Sequence, residues 1–284
     1  MAVAERKKLK FLVITAHPHD FTHCSGTCGI HAAMGDEVTV VSVTGGGHTH
    51  NEKLHDELLK PEAERDPAVL EQSGDDYMAT KKKELGQVCA LFGIADVRVL
   101  DFPDKPFKRT PAAVEALRDI ILEVRPDVLI PQSPFLNGPK RLTNAGHDDH
   151  LETAFATMEA QALAGIPDFG STQTPHTIAA TYYPAVYFQP DEIDFYVDIS
   201  AWKERRIQAE MLFASQSQSE AFGRKRVEIQ TGSFGWRGGT DFAEGFVRSG
   251  PELLPHIEVP RAALIRAHEP RENHLKRLAG ELEE

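Results

Sequence analysis

Two histidine-containing clusters lie far apart in this chain of 284 residues, at positions 16–20 (AHPHD) and 147–150 (HDDH). A catalytic zinc ion takes three nitrogen or oxygen ligands from the protein and keeps a fourth position for water. His17, Asp20 and His150 could supply those three ligands. Neither cluster alone is specific for metal binding. Whether the two clusters form one site therefore depends on the strands and helices that carry them.

The segments around the clusters have the pattern of alternating strands and helices. Strands are predicted at 10–15, 37–43, 97–102 and 127–131, and helices at 21–34, 77–92 and 111–124. The strands are apolar on both faces, which is typical of a parallel sheet covered by helices and joined by right-handed crossovers. We therefore expect an α/β fold, Rossmann-like and doubly wound, with a mostly parallel sheet and helices on both faces.

In sheets of this kind, ligands bind beyond the carboxyl ends of the strands, where the strand order reverses. We expect the reversal between the first and fourth strands. The first cluster directly follows the first strand, and the second lies between the fourth strand and a helix predicted at 151–163. The topology therefore predicts one metal site built from both clusters.

The remaining segments are less regular. A polar stretch at 48–76 is too long for an ordinary connection and indicates a functional loop or a short helix. Later elements are predicted as strands at 177–183 and 194–199, a helix at 201–214, loops at 215–218 and 232–239, a short element at 242–247 and a polar helical tail at 262–284. No clear linker divides the chain, so we expect one domain over 1–284, with a C-terminal extension at about 250–284.

Composition excludes several classes of protein. The net charge is -12, so the protein's field would repel nucleic acid. No apolar stretch is long enough to cross a bilayer. The chain has three cysteines, a small and uneven number that does not fit a disulfide framework. We expect buried cysteines, a cytoplasmic location and a small-molecule substrate, in either a monomer or a closed homo-oligomer.

The chain resembles the PIG-L/LmbE-like family of zinc-dependent N-acetylglucosaminyl deacetylases. The family's first motif, Ala-His-Pro-Asp-Asp-Glu, corresponds here to AHPHDF at 16–21, and its second, His-Pro-Asp-His, corresponds to HDDH at 147–150. Further similarities are found at 26–27, 84–85, 91–93, 100–102, 197–199, 215–216 and 243–246. The likeness covers most of residues 10–248 and implies an LmbE-like fold.

The resemblance also implies roles for the motif residues. It makes His17, Asp20 and His150 the ligands of Zn2+. It makes His147 the group that stabilises the oxyanion or protonates the leaving amine. Asp149 would be the carboxylate that holds an imidazole in the required tautomer.

The first motif departs from the family at the position of the general base. Where the family has the first Asp of its Asp-Asp pair, this chain has His19, and Phe21 replaces the usual Glu. His19 could act as the base, could become a fourth ligand or could only fill space. In lacking the first Asp and having an Asp-Phe pair, the motif resembles that of the zinc-dependent 4-oxalomesaconate hydratases of gallate breakdown. These enzymes add water to a double bond.

Other polar residues are candidates for substrate contacts. His48 and His50, with Glu52 nearby, follow a glycine run after the second strand. Trp236 and Arg237 lie in a predicted glycine-rich loop, where tryptophan can form a platform for a sugar. The other candidates are Arg109, Lys140, Arg141 and Asn144.

Three functions are therefore compatible with the sequence. The leading hypothesis is a zinc-dependent hydrolase that removes an acetyl or other acyl group from the nitrogen of an amino sugar or a related conjugate, with His19 as base and His147 as acid. The first alternative is a zinc-dependent hydratase of an unsaturated di- or tricarboxylic acid, in which Glu52, His48 or His50 handles protons. The second is a relative that binds metal without catalysing a reaction.

Overall fold

The computed structural model describes residues 6–135 and 148–282. In this part of the chain, seven strands form one sheet with the order β3-β2-β1-β4-β5-β7-β6. The strands are β1 (Lys10–Thr15), β2 (Glu37–Thr44), β3 (Asp96–Phe102), β4 (Val128–Ile130), β5 (Ala180–Pro184), β6 (Phe195–Asp198) and β7 (Ala243–Arg248).

The sheet is mostly parallel. β1 pairs in parallel with both β2 and β4, and the parallel arrangement continues from β2 to β3 and from β4 to β5. Only β7 runs antiparallel to its neighbours β5 and β6. The strand order reverses between β1 and β4, which confirms the predicted position of the reversal.

Eleven helices are found in the described residues. They are α1 (Ser25–Ala33), α2 (Glu52–Leu59), α3 (Pro67–Leu70), α4 (Gly74–Leu91), α5 (Pro111–Val124), α6 (Asp149–Ala164), α7 (Lys203–Leu212), α8 (Glu220–Val227), α9 (Ser233–Gly238), α10 (Arg261–His268) and α11 (Arg271–Leu278).

The alternation of side chains along β1 divides the core into two layers. Phe11 and Val13 belong to one apolar cluster, which includes residues of α1, α4 and α7. Leu12 and Ile14 belong to another, which includes residues of α5 and α6. Because successive side chains of a strand point to opposite faces, both faces of the sheet are covered by helices. The predicted α/β fold is therefore confirmed.

The turn after β1 differs from the sequence prediction. A helix was expected at 21–34, but a 3-10 turn over Pro18–His23 comes first and α1 begins at Ser25. The backbone N–H of His17 donates to Asp20 Oδ2 at 2.9 Å, and the N–H of Asp20 donates to the carbonyl of His17. These local hydrogen bonds compete with an α-helical start and keep both residues at the end of β1.

The glycine-rich segment at 232–239 is helical, so the predicted loop is wrong. α8 continues through a π-helical turn, Glu228–Gly232, into α9. A Cβ at Gly235 would lie 2.2 Å from the carbonyl oxygen of Asp241. Glycine is thus needed here for close backbone approach, which local composition does not distinguish from loop flexibility.

The other irregular segments agree in part with the prediction. The polar stretch contains α2 and α3, and the predicted tail contains α10 and α11. The strand expected at 177–183 is shorter and begins at Ala180. The three cysteines are buried and free, as predicted. None of the helices in the described ranges has both the length and the apolar character required to span a bilayer.

Candidate active site

Three side chains from the two predicted clusters meet at the carboxyl edge of the sheet. His17 and Asp20 follow β1, and His150 lies in the first turn of α6. His150 Nε2 lies 3.2 Å from Asp20 Oδ2, and His17 Nδ1 lies 3.7 Å from the same oxygen. The structure therefore brings together residues that lie at least 130 positions apart in the sequence.

The donor set fits a zinc ion. One ligand atom from each of His17, Asp20 and His150 lies within 4.8 Å of the other two. Ligand atoms about 2.0–2.2 Å from one ion in tetrahedral geometry are roughly 3.3–3.6 Å apart. Two imidazoles and one carboxylate are also the ligand types of known catalytic zinc sites. Small movements of these side chains would therefore complete a three-ligand site.

Two of these candidate ligands each have a further polar partner. Asp149 Oδ2 lies 2.9 Å from His17 Nε2, and its Oδ1 accepts a hydrogen bond from the backbone N–H of Phe107. Gln132 Nε2 donates to Asp20 Oδ2 at 2.8 Å. Such contacts fix the orientation and tautomer of a ligating side chain. Asp149 therefore leaves Nδ1 of His17 directed towards Asp20.

The carboxylates also favour positive charge at this position. Burial lowers the pKa of His17, but hydrogen bonds to Asp149 and Asp20 and the charges of these two residues outweigh burial and raise that pKa to about 9. Burial raises the pKa of Asp20, but His150 and His17 bring it well below its usual range. The site is thus an anionic pocket suited to a cation.

A cavity of about 280 Å³ lies against this cluster. Its described lining residues are His17, His48, Thr49, His50, Asp149 and His150. Of the residues predicted to contact substrate, the structure therefore places His48 and His50 beside the candidate ligands.

The loop that carries His48 and His50 is held from two sides. Lys81 Nζ of α4 donates to the carbonyl of Gly46 at 2.8 Å and to the carbonyl of Thr49. Gly46 has a φ of 67°, a left-handed conformation that suits glycine. On the other side, the buried carboxylate of Asp104 accepts hydrogen bonds from His48 and Thr49.

His50 is fixed in an unusual backbone conformation. Its φ is 58°, and its carbonyl accepts a hydrogen bond from the hydroxyl of Tyr77 at 2.6 Å. The imidazole Nδ1 lies 3.3 Å from Glu52 Oε1. Left-handed residues other than glycine are uncommon and cluster at functional sites, so this conformation agrees with a place on the cavity wall.

His19 is directed into a buried network of charged groups. Its Nε2 lies 2.9 Å from Glu210 Oε2 and 3.2 Å from Arg226 Nη1. Glu210 also accepts a 2.6 Å hydrogen bond from Arg206, and both of these side chains are buried. The ring of His19 packs edge-on against Phe213. His19 is not among the described residues that line the cavity.

The other predicted site residues lie elsewhere. Trp236, with 69% of its surface exposed, and the exposed Arg237 are on α9, which packs against β6 and β7 at the far end of the sheet. Arg109 is exposed beyond β3, where its backbone N–H donates to Glu152. His147, Lys140, Arg141 and Asn144 lie outside the described residues.

Several polar residues of the site were not predicted from the sequence. Asp104 and Gln132 follow β3 and β4 at the same edge of the sheet, so the rule that located the two clusters of candidate ligands could have found them. Glu210 and Arg206 are spaced i,i+4 on α7, which is also the spacing of ordinary surface pairs. Their burial depends on packing between distant elements and has no local signal.

The fold and the site together define a class: α/β proteins with two histidines and a carboxylate gathered where the strand order of a parallel sheet reverses. Within this class, the sequence profile described as PIG-L, GlcNAc-PI de-N-acetylase, matches residues 12–161. The match covers more than half of the chain, and the protein belongs to this family. The expected family membership is confirmed.

Known proteins similar to this chain include deacetylases and a hydratase. It is 25% identical to the diacetylchitobiose deacetylase of Thermococcus kodakarensis over 66% of this chain and 68% of that protein. It is 30% identical to the 1D-myo-inositol 2-acetamido-2-deoxy-alpha-D-glucopyranoside deacetylase of Streptomyces griseus, over 62% of this chain but just 56% of that protein. The 4-carboxy-2-hydroxymuconate hydratase of Pseudomonas putida has the same fold, with a TM-score of 0.70, 19% identity and coverage of 89% of this chain and 100% of that one.

Proposed function

We propose that the protein is a zinc-dependent hydrolase that removes an acetyl or other acyl group from the nitrogen of an amino sugar or a related conjugate. The observation that carries this proposal is the convergence of His17, Asp20 and His150 beside a cavity. The matched relatives from Thermococcus and Streptomyces are deacetylases by name, which supports the same reaction class.

Zinc at this position would supply Lewis acidity for the amide carbonyl and for the attacking water. The chain's own residues hold and orient the ligands: Asp149 fixes the ring of His17, and Gln132 fixes the carboxylate of Asp20. His147, predicted to assist the leaving amine, and His19, predicted to be the base, keep these roles as predictions.

The cavity suits a small substrate. At about 280 Å³ it is near the lower limit of ordinary ligand pockets, which are roughly 300–1,000 Å³. The imidazoles of His48 and His50 present polar groups that could contact hydroxyl or carbonyl oxygens of a sugar. Substrate contacts by Trp236 and Arg237, and a cytoplasmic location, also remain predictions.

Hydration of an unsaturated di- or tricarboxylic acid is a second candidate. It is favoured by the absence of a carboxylate at position 19, where His19 instead contacts Glu210. In this reaction His48, His50 or Glu52 would transfer protons. The two histidines line the cavity, which is compatible with this role. A metal-binding protein without catalytic activity is the remaining alternative.

The test combines metal content with product formation. The purified protein would be analysed for zinc and assayed for amine release from N-acetylglucosamine and diacetylchitobiose. Hydration would be measured as the decrease in ultraviolet absorbance of an unsaturated tricarboxylate. We expect stoichiometric zinc and amine release, with both largely lost in His150→Ala. The exposed His55 provides the matched control, and His55→Ala should retain zinc and activity.

The outcomes separate the candidates. Zinc with hydration but without amine release would replace the deacetylase proposal by the hydratase, and zinc with neither reaction would favour a catalytically inactive relative. Full zinc binding by His150→Ala would contradict the proposed ligand set.

A further inference from the structure

A carboxylate and an imidazole form a pair at the wall of the cavity. His48 lines the cavity together with His17 and His150, and half of its side chain is exposed. Behind it, Asp104 is buried, and Asp104 Oδ1 lies 3.0 Å from His48 Nδ1. The arrangement places one ring nitrogen on the carboxylate and leaves the other for contacts outside the pair.

The hydrogen bonds that Asp104 accepts determine which ring nitrogen of His48 carries the hydrogen. The carboxylate also accepts hydrogen bonds from the backbone N–H of His48, at 3.0 and 3.2 Å, and from the hydroxyl of Thr49, at 2.7 Å. Burial raises the pKa of Asp104, but these hydrogen bonds outweigh burial and lower that pKa below its ordinary value. An ionised carboxylate only accepts hydrogen bonds, so Nδ1 of His48 must be the donor. In the neutral ring, Nε2 then carries a lone pair.

We propose that His48, held by Asp104, is the proton-transfer group of this cavity, in place of the roles that the resemblance implies for His19 and His147. The kinetic part of this inference rests on the proposed deacetylation. As water attacks the amide carbonyl, a new C–O bond forms and His48 Nε2 takes a proton from the water. When the C–N bond breaks, the imidazolium returns the proton to the leaving nitrogen, which gives a free amine and a carboxylic acid. This step needs no further reactant.

The position of His19 supports this assignment. The residue at the family's base position uses Nε2 to contact Glu210 and Arg226, and its ring packs on Phe213. His48, in contrast, combines an oriented ring with a place on the cavity wall. Orientation of a histidine base by a buried carboxylate is the same physical arrangement as in a catalytic triad. In this pair, Asp104 is the positioning residue.

The kinetic test compares His48→Ala with His19→Ala in the zinc-loaded protein. For amine release from diacetylchitobiose, we expect His48→Ala to lower kcat by about 10²- to 10⁴-fold, the usual contribution of acid–base catalysis, with zinc content unchanged. Added imidazole should restore part of the kcat of His48→Ala and none of that of His19→Ala. A kcat for His48→Ala within about threefold of the wild type would overturn the proposal.

A second test does not depend on activity. Nitrogen chemical shifts of His48 in the zinc-loaded protein should report the tautomer with hydrogen on Nδ1. Asp104→Asn should shift this tautomer, because an amide can also donate to the ring, and should lower kcat more than it changes KM. Thr49→Val removes one contact to Asp104 without touching the ring, so we expect the tautomer to persist. This comparison separates ring orientation from anchoring of the loop.

The two tests distinguish the failure of the inference from the failure of the proposed function. If the wild type binds zinc but releases no amine, the proposed reaction is wrong. The tautomer of His48 then tests by itself whether Asp104 orients the ring. Hydrogen on Nε2 in the wild type, or a tautomer insensitive to Asp104→Asn, overturns the inference; the Nδ1 tautomer with sensitivity to Asp104 supports it.

Discussion

The buried charges around His19 depend on one glutamate. Glu210 Oε1 accepts a hydrogen bond from Arg206 at 2.6 Å, and Oε2 lies 2.9 Å from His19 and 3.7 Å from Arg226. Arg206 and Glu210 are almost fully buried. Because a buried cation without its partner is costly, the charge of Arg206 depends on the ionised carboxylate of Glu210.

We expect Glu210→Gln to lower the free energy of unfolding by about 3–5 kcal/mol, the usual effect of removing one partner from a buried ion pair. The reason is that Arg206 would keep its charge in a buried position. Urea unfolding followed by circular dichroism measures this change.

Glu204, on the same helix α7, provides the control. Its carboxylate lies 3.2 Å from Arg224, and both side chains are exposed. Glu204→Gln should therefore cost no more than about 1 kcal/mol. Equal effects of the two substitutions would contradict the buried network.

At the scale of elements, helix α4 is hydrogen-bonded to the loop that forms the cavity wall. Lys81 lies in the middle of α4, is fully buried, and donates to the carbonyls of Gly46 and Thr49. Burial lowers the pKa of Lys81 from 10.5 to about 8, although Asp104, Glu52 and other acidic groups act in the opposite direction. The helix therefore contributes a titratable contact to the loop of His48.

This shift predicts how stability depends on pH. Between about pH 8 and 10.5 the unfolded chain binds more protons at Lys81 than the folded chain, so the stability contribution of this group rises with pH. We expect the difference in unfolding free energy between wild type and Lys81→Met to increase with pH across this window. The slope is limited to about 1.4 kcal/mol per pH unit. Urea unfolding at several pH values measures the difference.

The exposed Lys83 on the same helix is the matched control. Lys83→Met should show no comparable dependence between pH 8 and 10.5, because its ammonium group is not buried. If Lys81→Met follows the same pH curve as the wild type, the buried ammonium is not the source of the effect.

At the scale of the whole molecule, the candidate metal site joins two parts of the sheet. His17 and Asp20 come from the end of β1, whereas His150 comes from α6, which follows β4. An ion that binds all three side chains would bind the folded chain and not the unfolded chain. Binding of zinc should therefore stabilise the entire fold.

With free zinc buffered at 100 times its Kd, we expect the free energy of unfolding to rise by about 2.7 kcal/mol. Urea unfolding with and without zinc measures this increase. His150→Ala should remove most of it, and the exposed His55→Ala should leave it intact. An equal increase in His150→Ala would show that zinc binds elsewhere.

The sequence predicted the central sheet and the place of the site because both depend on local patterns. The β1 strand and helix α5 begin and end where the prediction placed them. The proximity of His17 and His150 was predicted from the rule that ligands bind at the carboxyl edge of a parallel sheet. Segment 232–239 was predicted wrongly because the close approach of Gly235 to Asp241 is a long-range contact.

By itself, the sequence determined the α/β architecture, the family and the two clusters that converge at one edge of the sheet. Only the tertiary structure decided which partners the histidines have. His48 contacts a carboxylate 56 residues away, and His19 contacts one 191 residues away. The rule for parallel sheets places Asp104 at the edge that carries the site, but the individual pairings depend on how helices and loops pack across the folded chain.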